Sequence, residues 1–282
     1  MKKISIGYIF NSKRKGIEEK TFFRVAKNMN IDLILFNLSD KIDEEEIEKK
    51  AKDCKIFFND AGDEIAYELV KTLEELGKKV TEPSKVAYYP EDKWLFFVMC
   101  KKYKISTPKT ILLSTDLNSA KKELREFNQW PVVLKRIFGC RGEFVEKANN
   151  LNEAINLIKQ IWKKGNDERL PIIAQEYINS DSYRVTVIGD KIVQTSIKKR
   201  SGWKASGCYA EKFRKFNVDS KLKKIVNKLI KICGIKICGL DFAKRGDEWL
   251  VIEANAEPSL KFFDGEHEKL IEKVLKFLIN SS

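Results

Sequence analysis

From Ile4 to Val80 short β-rich runs alternate with helix-patterned stretches, and this alternation limits the possible folds more than any other feature of the chain. The runs ISIGYIF, DLILFN, KIFF and KKV are separated by Glu18–Asn28, Glu44–Lys52 and Glu64–Leu76. Parallel strands need a crossover, usually a helix, so the pattern predicts βαβ units and a small doubly wound parallel sheet. Gly77 is positioned to close its last helix. The stretch after the first run, Tyr8–Gly16, reads YIFNSKRKG and lacks GxGxxG, so no dinucleotide site is expected there.

Beyond Pro83 and Pro90 the rhythm changes. A helix is expected over Asp92–Lys104, Pro108 breaks it, and a strand TILL follows. PVVLK and EFVEK flank a glycine loop, the helix Leu151–Lys163 comes next, and IIAQEYI, YRVTVIG and KIVQTSIKK arrive as near-consecutive strands. Gly189-Asp190 is a hairpin signal. A helix Lys221–Cys233 ends at Gly234, KICGLDFAK and EWLVIEA form a second hairpin, and a helix Glu266–Ile279 closes the sequence. No repeat with a period of 20–50 residues is present.

The charge follows the same division. Residues 1–90 carry 17 basic and 17 acidic groups, so the whole net charge of +13 lies in residues 91–282, which points to an anionic ligand for the second part. The longest apolar run, Trp94–Cys100, is far too short to span a bilayer. The start MKKISIGYIF reads as a buried first strand and not as a signal peptide. Six cysteines without a CxxC pair (Cys54, Cys100, Cys140, Cys208, Cys233, Cys238) predict reduced thiols and a cytoplasmic protein without a structural zinc site. His267 is the only histidine and lies in a charged stretch, so the usual catalytic triads are excluded and a surface position is expected for it. Lys221, Lys223, Lys224, Lys228 and Lys231 share a helix with Leu222, Ile225, Val226, Leu229 and Ile230 at core spacing, the pattern of a solvated lysine face over a buried stripe.

The strongest chemical signal is the last hairpin. Asp241 lies on its first strand; Glu253 and Asn255, two apart on the second, face one side. A turn near Gly246-Asp247 brings Asp241 close to Glu253, so three oxygen ligands converge, the donor set magnesium prefers when phosphates complete the octahedron. Solvated or capping acids are the alternative, but a carboxylate interrupting LVIEA is costly unless satisfied. In PVVLKRIFGCRGEFV, Lys135 closes a strand, and Gly139 and Gly142 allow a loop whose N–H groups could cradle phosphates; a hairpin turn beside a surface lysine fits equally well. The edge Gln175-Glu176-Tyr177-Ile178, followed by Asp181, could present backbone groups to an adenine, and Arg184 suits either a structural ion pair or a ligand contact.

Taken together and in order, these segments resemble the ATP-grasp superfamily, most closely its RimK-like α-L-glutamate ligase branch. Asp92-Lys93-Trp94 resembles the family's entry pair, PVVLKRIFGCRGEFV its lysine strand and phosphate loop, QEYI its adenine hinge, SYRVTVIGDKIV its arginine strand and GLDF with VIEANAEP its metal hairpin. The resemblance implies an α/β (α+β) ATP-grasp fold. It consists of a parallel-sheet N-terminal domain over residues 1–90, a central subdomain over 91–178 and a catalytic, metal-binding subdomain over 179–282.

By the same resemblance, Lys93, Lys135, Gly139, Cys140, Arg141, Gly142 and Lys198 contact ATP phosphates, Gln175, Glu176, Tyr177 and Ile178 hold adenine, and Asp181 lies near the ribose. Asp241, Glu253 and Asn255 carry two magnesium ions, with manganese able to substitute; Arg184, Arg200 and Lys204 stabilise charge at the reacting centre. The implied partners are ATP, an amino-acid amine donor and an acidic acceptor (a peptide, a protein C-terminus or a coenzyme), with no membrane or nucleic acid and with a homo-oligomer allowed. The implied reaction is carboxylate–amine ligation through an acyl phosphate. Phosphotransfer, thiol-forming ligation and plain nucleic-acid binding are the alternatives. The chain departs from the family at Ser182, which stands where an acid is usual, at Lys204 and Ser206, which stand for an arginine and an asparagine, and at Ser259, which stands for a glycine. Glutamate specificity therefore does not transfer automatically.

Overall fold

The computed structural model describes residues 4–14, 17–41, 43–62, 64–139, 142–166, 168–200, 202–204 and 210–282. The first stretch folds as its alternation predicts. Strands β1 (Ile4–Phe10), β2 (Ile31–Asn37) and β3 (Ile56–Asn59) form a parallel sheet in the order β2-β1-β3, linked by helices α1 (Ile17–Asn28) and α2 (Glu44–Ala51). Helix α3 (Glu64–Glu75) follows, and KKV contributes only an isolated bridge, Phe57 to Val80. One face of this sheet packs Ile9, Phe36 and Phe57 against Ile47, Leu69, Val70 and Leu73 of α2 and α3. The other face buries Ile6, Tyr8 and Phe58 with Phe22 of α1.

A helix not foreseen in the sequence comes next. Helix α4 (Ser84–Glu91) begins directly after Pro83, a position compatible with a helix start, and holds Pro90 inside its last turn, where the missing N–H removes one hydrogen bond just before the helix ends. Asp92 then caps α5 (Lys93–Lys102), accepting the N–H groups of Trp94 and Leu95 at 2.9 and 2.8 Å. Strand β4 (Thr110–Leu113) leads to another unforeseen helix, α6 (Leu117–Phe127), capped by Asp116. With β5 (Val132–Arg136), β6 (Val145–Ala148), α7 (Leu151–Lys164) and β7 (Ile172–Glu176), these elements make a four-stranded antiparallel sheet, β4-β7-β5-β6, whose core lies under α6 and α7.

The third sheet has five strands in the order β10-β9-β8-β11-β12, formed by β8 (Ser182–Ile188), β9 (Lys191–Arg200), β10 (Ala210–Arg214), β11 (Ile237–Arg245) and β12 (Glu248–Asn255). Helix α8 (Ser220–Cys233) covers one face, burying Leu222, Val226, Leu229 and Ile230 while Lys221, Lys223, Lys224, Lys228 and Lys231 stay in solvent. Helix α9 (His267–Ser281) returns to the start of the chain and packs Leu270, Ile271, Val274 and Leu278 against β1, β3 and α1. His267, at its first turn, is half-buried. No helix among the described residues is long and apolar enough to cross a membrane.

Glu82, between Val80 and α4, ties the first sheet to the third. Its buried carboxylate accepts the N–H groups of Lys236 and Ile237 at 2.8 and 2.7 Å, at the start of β11. Burial pushes this carboxyl up to about 7 against the opposing pull of those two N–H groups. The raised value means that the folded protein binds a proton the unfolded chain has released between about pH 4.5 and 7, so this group's contribution to stability falls as pH rises through that window. Glu82→Gln should keep the two N–H contacts and remove the slope. Melting curves should show the variant gaining on the native protein at pH 8, by up to about 3 kcal/mol, and matching it at pH 5. Equal melting shifts at both pH values would contradict this account.

Candidate functional site

The site grows out of the face of the third sheet that α8 leaves uncovered. Along β11, Cys238, Leu240 and Phe242 point into the core beneath α8, so alternation sends Gly239, Asp241 and Ala243 to the other face. A two-residue turn at Gly246-Asp247 in a regular ladder would set Asp241 opposite Ile252. A bulge between Asp241 and Phe242 changes the pairing to Asp241 with Glu253 and Gly239 with Asn255, while Phe242 pairs with Val251. The same bulge lets Trp249 and Val251 face the core before it and Ala254 and Ala256 after it, which frees Glu253 and Asn255 for the open face.

Arg184 of β8 pairs with Asp241 in register and clasps it, Nε to Oδ1 and Nη2 to Oδ2, both at 2.6 Å. Lys198 of β9 adds a contact to the same carboxylate at 3.3 Å. Burial alone would raise the Asp241 pKa; the Arg184 guanidinium and the Lys198 ammonium more than offset it and hold the carboxyl at about 2. Burial, reinforced by Arg184, pushes the Lys198 ammonium down, with Asp241 opposing. Gly239 makes this packing possible, since a Cβ there would lie 2.0 Å from Arg184 Nη1.

Lys135 projects from the second sheet, buried, with its Nζ donating to Gln175 Oε1 at 2.8 Å. Gln175 in turn donates to Thr110 Oγ1 at 2.9 Å, so the ammonium is fixed through a short polar chain. Burial, with some help from Lys93, depresses the Lys135 pKa, and the Glu253 and Asp241 carboxylates oppose it. Lys93 Nζ donates to the Gly139 carbonyl at 2.8 Å, holding one arm of the glycine loop.

At the hinge, the N–H groups of Glu176 and Tyr177 are taken by the Lys109 and Pro131 carbonyls. Among the described residues the Ile178 N–H meets no backbone acceptor. The Glu176 carboxylate turns to Arg245 Nη2 at 2.6 Å. Lys204 lies 3.7 Å from Glu146 and over the Trp203 ring.

A single cavity of about 780 Å³ gathers these groups from both antiparallel sheets, and the carboxyl ends of β1 and β3 form a further wall. Of the residues singled out in the sequence, Lys93, Lys135, Gly139, Gly142, Gln175, Glu176, Tyr177, Ile178, Asp181, Arg184, Lys198, Lys204, Asp241, Glu253 and Asn255 all line it. Cys140, Arg141, Ser206 and the side chain of Arg200 lie outside the described residues. Sequence reasoning passed over Asp60, Glu91, Glu257, Lys261 and Phe262, which also line the cavity. Glu257 could have been found, because it continues the alternation of Glu253 and Asn255 past the end of β12. Among the described residues no three His, Cys, Asp or Glu side chains cluster as a metal-binding group; the oxygen set is two carboxylates and one amide.

The cavity, rimmed by buried cations, lies between two antiparallel sheets, and the fold is that of ATP-grasp proteins. The chain superposes on the RimK-domain ATP-grasp protein of Sphaerobacter thermophilus with a TM-score of 0.78 at 14% identity, over 98% of this chain and 99% of that one. It superposes on the D-alanine–D-alanine ligase of Bacillus anthracis, complexed with ATP, with a TM-score of 0.76, also at 14% identity, over 99% and 97%. These are likenesses of fold. Residues 90–277 match the RimK-like ATP-grasp domain, and the chain belongs to that family. It is 28% identical over 205 residues to the coenzyme gamma-F420-2:alpha-L-glutamate ligase of Methanocaldococcus jannaschii, which covers 70% of this chain and 69% of that protein. It is 25% identical over 195 residues to the alpha-aminoadipate–LysW ligase LysX of Saccharolobus solfataricus, covering 67% and 70%.

Proposed function

We propose that this chain is an ATP-dependent ligase that joins an acceptor carboxylate to the amine of an amino acid. The observation that carries the reading is the register of Asp241 against Glu253, with Asn255 two residues on, inside a cavity shared with Lys93, Lys135, Arg184 and Lys198. On this reading the chain comprises a parallel-sheet domain over residues 1–90, a central subdomain over 91–178 and a metal-binding subdomain over 179–282. The family relatives are ligases by name, and free thiols at Cys54, Cys100, Cys233 and Cys238 suit a reducing cytoplasm.

The donor chemistry fits magnesium. Asp241 stays ionised to low pH, Glu253 is its cross-strand neighbour, and hard oxygens are what this ion takes. Asp241, Glu253 and Asn255 would hold two magnesium ions, which would supply charge neutralisation on the β- and γ-phosphates. The protein's own groups do the rest. Lys93, Lys135 and Lys198 neutralise the phosphate tail. Glu176 to Ile178 receive the adenine through carbonyl oxygens and the Ile178 N–H, and Asp181 lies at the ribose. Arg184, Arg200 and Lys204 stabilise charge on the group in flight.

The acceptor carboxylate oxygen attacks the γ-phosphorus as the bond to the β-phosphate oxygen breaks, giving an acyl phosphate and ADP. The amine then attacks the acyl carbon, loses a proton, and phosphate departs with the carboxylate oxygen. Positioning and preorganised charge supply the rate, so a chain with one histidine suffices.

Phosphate release measured with each amino acid as donor, crossed with acidic coenzymes and peptide C-termini as acceptors, tests the reading. One phosphate per new amide is expected; phosphate retained on a product would make the protein a phosphotransferase. Lys135→Ala should weaken nucleotide binding about 10–100-fold, the worth of a charge-assisted contact in a buried site. An unchanged dissociation constant would place Lys135 outside the nucleotide site.

A further inference from the structure

Lys135 is one end of a hydrogen-bond row whose far end the nucleotide chemistry leaves unassigned. The register of the second sheet assembles it. Thr110 of β4 lies opposite Gln175 of β7, Gln175 lies opposite Val133 of β5, and Lys135, two residues on from Val133, shares its face. Three polar side chains from three adjacent strands therefore stand together on one face of the sheet. All are buried: Lys135 is 9% exposed, Gln175 6% and Thr110 7%.

Chemistry fixes the direction of every bond in the row. An ammonium can only donate, so Lys135 Nζ gives a proton to the amide oxygen of Gln175, at 2.8 Å. That turns Gln175 Nε2 toward Thr110, whose hydroxyl oxygen accepts at 2.9 Å. The Thr110 hydroxyl proton then goes to the Pro108 carbonyl at 3.0 Å, and the row ends on the main chain. Among the described residues the ammonium meets no other hydrogen-bond acceptor, which leaves two of its N–H groups for a ligand. The anchor adjoins the hinge, because the next carbonyl, that of Lys109, accepts the Glu176 N–H at 2.8 Å.

Threonine is matched to this place. A side chain here must accept from an amide on one side and donate to a carbonyl on the other, which a hydroxyl does and a methyl group does not. Without the hydroxyl, Gln175 Nε2 is left buried and without its acceptor. Turning the amide round to relieve it would set an NH2 group against the ammonium.

We propose that Thr110 is a positioning residue for the nucleotide: acting through Gln175, it aims the Lys135 ammonium at the phosphates. This deepens the nucleotide site of the ligase reading and rests on it.

Calorimetric titration with a non-hydrolysable ATP analogue and magnesium tests the assignment. Thr110→Val, which keeps the shape and removes the hydroxyl, should weaken binding about tenfold, and Thr110→Ala, with less bulk, should do the same. Thr110→Ser restores the hydroxyl and should bind within about twofold of the native protein. In a Lys135→Ala background the valine substitution should add less than about twofold, since its effect travels through the lysine. A merely structural role for Thr110 would give independent, multiplying losses in the double variant and no selective rescue by serine. The proposal is overturned if Thr110→Val and Thr110→Ala bind like the native protein, if serine is as weak as valine, or if the losses multiply. A native protein that binds no analogue, or a Lys135→Ala variant that binds it unchanged, would remove the nucleotide site itself and the proposal with it.

Discussion

Glu253→Gln is expected to lower ATP turnover by at least about a hundredfold while leaving the melting temperature within a few degrees of the native value. The amide has the carboxylate's shape, and Glu253 is only half-buried on its strand, so little packing changes. What is lost is one negative charge opposite Asp241, in a neighbourhood where Lys135, Arg184 and Lys198 are all influenced by Glu253. Phosphate release and thermal melting on the same preparation check both halves of the expectation. Near-native turnover by a folded variant would remove Glu253 from the proposed metal site.

The second large effect concerns stability. Arg184→Met strips the bidentate partner from a carboxylate that is almost fully buried, leaving Asp241 with the single Lys198 contact at 3.3 Å. Breaking a buried pair on one side costs about 3–5 kcal/mol, because the remaining charge stays desolvated. For a chain of this size that is a fall in melting temperature of about 6–15 °C. Adding Asp241→Asn to Arg184→Met should recover part of the loss, since a neutral amide no longer needs a cation beside it. A single variant within about 1 kcal/mol of the native protein, or a double variant less stable than the single one, would mean that solvent reaches the Asp241 carboxylate.

The sequence exposes the parts of this protein that obey simple periods. The strand and helix runs of the first 80 residues, the turn at Gly246-Asp247 and the buried stripe of α8 are legible because burial on one face writes a period into the residues. The functional hairpin is half legible. Alternation puts Glu253 and Asn255 on one side, but the bulge that brings Glu253 level with Asp241 leaves no mark in a run of apolar residues. Helix α4 was hidden by Pro83 and Pro90: the first only precedes the helix, and the second interrupts the pattern from inside its last turn. Helix α6 was legible but passed over, since Leu117, Ala120, Leu124 and Phe127 recur at helical spacing on the face that meets the core. Asp60 and Glu91 were missed for a different reason: Asp60 follows β3 at the carboxyl edge of the parallel sheet and Glu91 ends α4, and only a tertiary arrangement that no local pattern records brings both to the cavity.

The central claim is that a substrate carboxylate is activated on phosphorus before the amine arrives, and the fate of oxygen tests it most directly. With an acceptor labelled by oxygen-18 in its carboxylate, turnover in the presence of ATP, magnesium and the amine donor should deliver one labelled atom to each phosphate released, as mass spectrometry would record. Phosphate free of label alongside a newly formed amide would contradict the account.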